Sequence, residues 1–237
     1  MKLAALLALT VAAASSTRPV LEKRREAIER AAGEPVVFVY AATGVLARQL
    51  ENGAPFDVFL AADAETPALL ARSGLLDAAT VRPYARGRLV LAAEPVSKLA
   101  LPKVLDRAAA RALFARPFRR LAIASPRVAP YGRAAIQALS RAGVLDGVRE
   151  RLVEAENVEQ AREFVSSGNA DLGFLAAPTV PRSLPSVAVA PELYDPIVYS
   201  GGLVARSRSR AAALRALDAL TTAESRAVLE QLGYSVP

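Results

Sequence analysis

Four short stretches carry the residue types best suited to chemistry: Ala14-Ser15-Ser16-Thr17, Ala42-Thr43-Gly44, Ala129-Pro130-Tyr131-Gly132 and Glu156-Asn157-Val158. Three of them share one design, in which an apolar strand gives way to small hydroxylated or glycine-bearing residues and then to a helix start. The fourth joins a strand to a helix through a polar cap. The leading N–H groups of a helix lack intrahelical acceptors, and the peptide dipoles turn their positive end outward there. Hydroxyls add directional donors, and glycine lets a guest approach the backbone closely. Turns of this kind suit an anion, even a dianion, with no buried Lys or Arg. Each one alone is equally the mark of an ordinary helix cap, because Ser, Thr and Asn are common cap residues.

Much other chemistry is excluded. The chain has no cysteine and no histidine, which removes disulfides, thiolate nucleophiles, imidazole bases and most transition-metal sites. No Asp/Glu cluster has the loop spacing of an oxygen-ligand metal site. A nucleophilic enzyme would need a Ser-Lys or paired-carboxylate arrangement, and no G-x-S-x-G, Walker-type or G-x-G-x-x-G element is present. The reading is therefore of a protein that is not an enzyme and uses no cofactor. The formal charge of +7 attracts anions, but the arginines are scattered among acids, as in Lys23-Arg24-Arg25-Glu26, with no aromatic-basic platform for nucleic acid.

The elements that must position the four turns alternate between strand and helix. With 53% hydrophobic residues in 237, the chain can bury one large domain or two small lobes. Strands are expected at Leu7–Ala14, Pro35–Tyr40, Asp57–Ala62, Arg88–Ala93, Leu121–Ala124, Leu152–Val153, Leu172–Leu175, Ser186–Ala190 and Ile197–Ala205. Helices are expected from Arg18 to Ala32, capped by Ser or Thr and ended by Gly33, and from Val45 to Asn52. Others begin near Arg107, Tyr131 and Val158, and two close the chain at Arg210–Leu220 and Ala223–Leu232. Near-continuous apolar strands alternating with amphipathic helices predict an α/β fold of parallel, doubly covered sheets. Ligands bind such sheets outside the carboxyl ends of the strands.

Several segments also resemble molybdate-binding proteins of ABC transporters. Leu9-Thr10-Val11-Ala12-Ala13-Ala14-Ser15 is similar to the family's first strand and loop. Thr43 to Asp63 (TGVLARQLENGAPFDVFLAAD) is similar to its "G-x-LARQI-x-x-GAPADVF-x-SAD" hallmark. Pro130 to Ala135, Ala155 to Val158 and Ala170 to Gly173 follow in family order, and Pro196-Ile197-Val198-Tyr199 looks like the return crossover. The resemblance spans the chain from about Leu7. It implies a two-lobed type II periplasmic-binding-protein fold with doubly wound mixed sheets and a hinge of two crossing strands. Lobe I would be 1–84 with 200–237, lobe II 85–199, with crossover strands near 87–93 and 196–204.

The resemblance further implies a tetrahedral oxyanion, molybdate and also tungstate, held between the lobes where the four turns gather. Ser15 and Thr43 would give hydroxyl and N–H donors, with Ser16 helping, and Tyr131 and Val158 would give backbone N–H donors. Molybdenum would be bound only as the oxyanion. Asp57 and Asp63 match the family and read as structural caps. Where many members have a tyrosine after the "L-G-I-V" strand, this chain has Ala176. A branch with Tyr in the Pro-x-Gly turn fits Tyr131, which would partly fill that space. A donor-only site favours fully deprotonated anions over phosphate, which carries a proton, and none of the candidate donor residues in the four turns is an acid.

The implied partners are the small oxyanion and the membrane permease of an ABC importer, not nucleic acid, with the protein itself a monomer. Met1-Lys2 and the apolar run from Leu3 to Ala14 have the form of a secretory signal, too short to span a bilayer, which takes about 20 apolar residues. The same run reads as the first strand, and cleavage at Ala14 would delete it. The location is periplasmic by family and cytoplasmic if Met1 is the true start. Binding of sulfate or another oxyanion and a cytoplasmic anion-sensing domain are the alternatives.

Overall fold

A computed structural model describes residues 8–97 and 99–236. The expected signal residues Met1 to Leu7, including the first residue of the expected opening strand, lie outside the described residues.

In chain order the elements begin with β1 (Leu9–Ala14), α1 (Arg18–Ala32), β2 (Val36–Ala41), α2 (Thr43–Glu51), β3 (Val58–Ala61) and α3 (Glu65–Arg72). Next come β4 (Arg82–Gly87), β5 (Leu89–Ala93), α4 (Arg107–Phe114), β6 (Leu121–Ala124), α5 (Pro130–Ala142) and α6 (Leu145–Val148). The remainder is β7 (Leu152–Ala155), α7 (Val158–Ser166), β8 (Leu172–Ala176), β9 (Ser186–Ala188), β10 (Ile197–Leu203), α8 (Arg210–Ala219) and α9 (Ala223–Gln231).

The chain divides into two compact units, Met1–Arg86 with Val198–Pro237, and Gly87–Ile197. Each is built on one five-stranded sheet. The first has the order β2-β1-β3-β10-β4, and the second β7-β6-β8-β5-β9. The apolar strands expected to run parallel do so in β2-β1-β3 and in β7-β6-β8. The sheets are nevertheless mixed, because β10 is antiparallel to β3 and β5 is antiparallel to β8 and β9. Apolar continuity by itself suggests parallel sheets, and the returning strands make them the mixed sheets that the resemblance implies. A strand buried on both faces reads as an apolar run whichever way it points.

In the first unit, Leu46, Leu50, Phe56, Phe59, Leu70, Leu76 and Val204 pack into one buried cluster with Ala12. These side chains come from two helices, the central strands and the loops between them, so the cluster fixes the sheet and the helix starts together. α1 ends as its sequence predicts, at Gly33 with φ 82°, a left-handed conformation that glycine adopts without a Cβ penalty. β4 was not expected from sequence. Its Arg82-Pro83-Tyr84-Ala85-Arg86-Gly87 run is polar and holds a proline, and it sits at a sheet edge, where a missing N–H is tolerated.

Candidate functional site

In the first unit, parallel pairing brings three strand ends together. Ala14 pairs with Ala41 and Ala13 with Leu60, so the loops after β1, β2 and β3 leave the sheet side by side. The loop after β1 carries Ser15 and Ser16, and the loop after β2 carries Thr43. Their side chains are nearly enclosed, with Ser15 5%, Ser16 2% and Thr43 1% exposed.

Ser15–Thr17 forms one 3-10 turn that runs into α1, and no Ser or Thr side chain caps that helix. The expected cap is thus absent. Thr17 Oγ1 instead donates back to the Ala14 carbonyl at 2.6 Å. Thr43 Oγ1 accepts the Ala62 N–H at 3.1 Å. Ser16 Oγ accepts the Tyr199 phenol at 2.7 Å, and the Ser16 carbonyl accepts the Tyr234 phenol at 2.5 Å. Among the described residues, Ser15 Oγ has no hydrogen-bond partner.

A hydroxyl has one proton and two lone pairs. Where an internal donor occupies a lone pair, as at Thr43 and Ser16, the proton is left for an outside acceptor. The α2 start adds amides to these hydroxyls. Intrahelical bonding there begins with Val45 and Leu46, whose N–H groups both donate to the Ala42 carbonyl, downstream of the Thr43 and Gly44 amides.

The second unit repeats the arrangement with backbone donors. Ala124 of β6 pairs with Ala155 of β7, and the Ser125 N–H donates to the Ala155 carbonyl at 2.7 Å, so the loops leading to α5 and α7 are neighbours. Pro130 has no N–H, which makes the Tyr131 amide the first of α5. Intrahelical bonding begins at Gly132, whose N–H donates to the Ala129 carbonyl at 3.0 Å. At α7, Asn157 Oδ1 accepts the N–H groups of Glu159 and Gln160 at 2.9 and 3.2 Å. Gln160 Oε1 returns the cap by accepting the Glu156 N–H at 2.7 Å. This closed cap passes over the first helical amide, that of Val158, while the Val158 side chain is 3% exposed. A core side chain and an amide that the cap leaves unused coexist at one residue.

Gly132 has a different role from the one its turn suggests. A Cβ there would lie 2.1 Å from the Ala124 carbonyl oxygen, so the glycine lets α5 sit against the end of β6. Gly132→Ala is expected to lower stability by about 1–3 kcal/mol through overpacking, measured as a fall in the urea midpoint at unchanged m-value.

Of the two aspartates read as caps, Asp63 is one, accepting the Thr66 N–H at 2.8 Å at the start of α3. Asp57 is not. It accepts the Thr10 N–H and the Ser207 hydroxyl, which ties the start of β1 to the turn after β10. Sequence reasoning also passed over Ser125 and Glu154. The Ser125 hydroxyl donates to Glu154 Oε2 at 2.8 Å, so a carboxylate does stand beside the second unit's turns. The signal was the alternation in Leu152-Val153-Glu154-Ala155, which exposes Glu154 and buries Ala155. Ala176 closes β8, fully buried, with its carbonyl accepting the Thr179 hydroxyl. The other evident groove of the second unit, lined by Glu94, Arg116, Phe118, Arg119 and Asp171, includes none of these turns, and its Arg119 is paired with Asp171. Among the described residues no group of His, Cys, Asp and Glu is arranged to hold a metal ion.

The chain is similar to known proteins along nearly its whole length. A molybdate-binding protein ModA from Azotobacter vinelandii is 34% identical over 94% of this chain and 88% of the relative. A molybdate-binding protein ModA from Rhodobacter capsulatus is 33% identical over 95% and 87%. The solved periplasmic molybdate-binding protein of Azotobacter vinelandii superposes with a TM-score of 0.87 at 30% identity, covering 97% of this chain and 99% of that one. Residues 9–235 match the family model described as bacterial extracellular solute-binding protein, and the chain belongs to that family.

Proposed function

We propose that the chain is the solute-binding component of an ABC importer and that it binds a tetrahedral oxyanion, molybdate or tungstate, through amide and hydroxyl donors of the kind each unit presents. Ser15, Ser16 and Thr43 supply donors from the first unit, and the Tyr131 and Val158 amides supply them from the second. The observation that carries this reading is the direction of the hydroxyls. Thr43 and Ser16 each accept from inside the protein, which leaves their protons for a guest. A fully deprotonated anion accepts at every oxygen and matches such a site, whereas phosphate must also place a proton. The names of the relatives support molybdate over other members of that class. The solved relative is a periplasmic protein, which supports that location, and delivery to a membrane permease by a monomer belongs to the same proposal.

One observation favours a second reading. The Glu154 carboxylate beside Ser125 is an acceptor at the second unit's strand ends. A monoprotonated anion such as phosphate would use it. Thermal unfolding and calorimetric titration with molybdate, tungstate, sulfate and phosphate separate the two. Molybdate and tungstate are expected to stabilise the protein by about 2.7 kcal/mol at a hundredfold excess over Kd, with sulfate weaker and phosphate inert. Replacing Ser15 and Thr43 together by Ala removes two donors to a charged guest, each worth about 1.5–3 kcal/mol, and is expected to weaken molybdate binding more than a hundredfold. A preference for phosphate, or an unchanged Kd in the double variant, would reject the first reading.

A further inference from the structure

Behind the Ser15-Ser16 turn lies a cluster of three buried tyrosines from three distant segments. Tyr84 comes from β4, Tyr199 from β10, and Tyr234 from the chain end; they are 4%, 0% and 3% exposed. The Tyr199 ring meets Tyr84 and Tyr234 edge-on, at centroid distances of 5.9 and 5.5 Å. Two of the phenols converge on one residue, since Tyr199 donates to Ser16 Oγ and Tyr234 donates to the Ser16 carbonyl. Tyr84 donates to the Ala61 carbonyl at 3.3 Å, one residue before the amide that holds Thr43. A phenylalanine would fill each ring position equally well, so the hydroxyls are present for their bonds.

We propose that Tyr199 is a positioning residue for the anion site, whose phenol proton directs the Ser16 hydroxyl toward the guest. This rests on the oxyanion reading given above. Without Tyr199, Ser16 Oγ has both lone pairs open and its proton is free to turn toward the neighbouring backbone. With Tyr199 donating, one lone pair is filled and the rotor is biased outward before the anion arrives. Preorganised donors avoid the ordering cost of binding. The bond also sets chemical selectivity, because a Ser16 oxygen already occupied by a donor is poorly placed to accept a proton from a protonated anion.

A core tyrosine that merely satisfied its own hydroxyl would affect stability alone, so the test is a double-mutant cycle read on the molybdate Kd. Ser16→Ala is expected to weaken binding about tenfold or more, as the loss of a donor to a charged guest, and Tyr199→Phe roughly three- to tenfold. Their combination is expected to be no weaker than Ser16→Ala, because Tyr199 acts only through the hydroxyl that this change removes. Tyr234→Phe is the packing control. It loses a phenol of the same cluster but bonds the Ser16 carbonyl, which Ser16→Ala retains, so its effect on Kd persists in the Ser16→Ala background. Apo melting temperatures verify that every variant is folded. A second readout is selectivity, with the molybdate-over-phosphate ratio falling in Tyr199→Phe. Unchanged affinity in Tyr199→Phe, or losses that multiply in the double variant, overturns the inference while oxyanion binding by the unmodified protein stands. A protein that binds no oxyanion at all overturns the functional reading and this inference together.

Discussion

Ser15→Asp is expected to abolish oxyanion binding while slightly stabilising the free protein. The two effects have opposite signs because they draw on the same field. Ser15 opens the turn that runs into α1, where backbone N–H groups and the helix dipole create positive potential. A carboxylate placed there satisfies those amides from within the chain and contributes about 0.3–1 kcal/mol to the apo state. To an incoming dianion the same carboxylate is a fixed like charge standing where the guest's own oxygens belong. At an effective dielectric constant of about 20, one pair of unit charges 4 Å apart costs about 4 kcal/mol. A dianion loses correspondingly more. Ligand-induced stabilisation, about 2.7 kcal/mol at a hundredfold excess in the unmodified protein, is therefore expected to vanish from the melting curve, with no loss in the apo midpoint. Retained molybdate-induced stabilisation would show that Ser15 does not face the anion.

The same turn shows how far the sequence could be read. The Ser15-Ser16-Thr17 stretch and the Thr43-Gly44 start were visible as hydroxyl-bearing strand ends, and the parallel pairing of Ala14 with Ala41 brings them together. What could not be read was which way each hydroxyl points. That depends on Ala62 and Tyr199, which lie 19 and 183 residues away in the chain from Thr43 and Ser16, while Tyr234, 218 residues away, holds the Ser16 carbonyl. Local spacing holds no trace of such contacts. The helix cap expected from Ser or Thr at α1 failed for a related reason. α1 starts at Arg18 as expected, but Thr17 before it already has helical angles (φ −88°, ψ −10°), so its hydroxyl falls back on the Ala14 carbonyl instead of capping.

Strand β4 escaped because its edge position removes the apolar signature, and Glu154 escaped because an exposed residue in a short strand looks like surface. Periodicity reports which face is buried and little else. It could not tell that β5 and β10 run against their neighbours, since residues enclosed on both faces look alike in either direction. The Asp57 cap was a misassignment of the same kind. The residue is structural as expected, but in place of capping an element it holds the Thr10 amide and the Ser207 hydroxyl.

At Val158 the structure allows a backbone donor to be removed without disturbing the fold. Val158→Pro deletes the one amide that the Asn157 cap passes over. Val158 is the first residue of α7, the position where proline is most readily accepted because its missing N–H breaks no intrahelical bond. The preceding Asn157 already has φ −154° and ψ 176°, the extended conformation a residue before proline prefers. Its Oδ1 bonds to Glu159 and Gln160 are untouched. The ring also places a methylene where the proton pointed, so the anion loses a charge-assisted bond and meets an obstruction. The bond alone accounts for about 1.5–3 kcal/mol, and with the obstruction molybdate affinity is expected to fall at least a hundredfold, while the melting temperature of the free protein changes by only a few degrees. Val158→Ala is the mirror experiment. It keeps the amide but removes buried methyl groups from a side chain 3% exposed, costing on the order of 2 kcal/mol of stability at nearly unchanged affinity. If both variants lose stability and neither loses affinity, the Val158 amide is only the first turn of a well-capped helix, and the second unit's donors must be sought elsewhere.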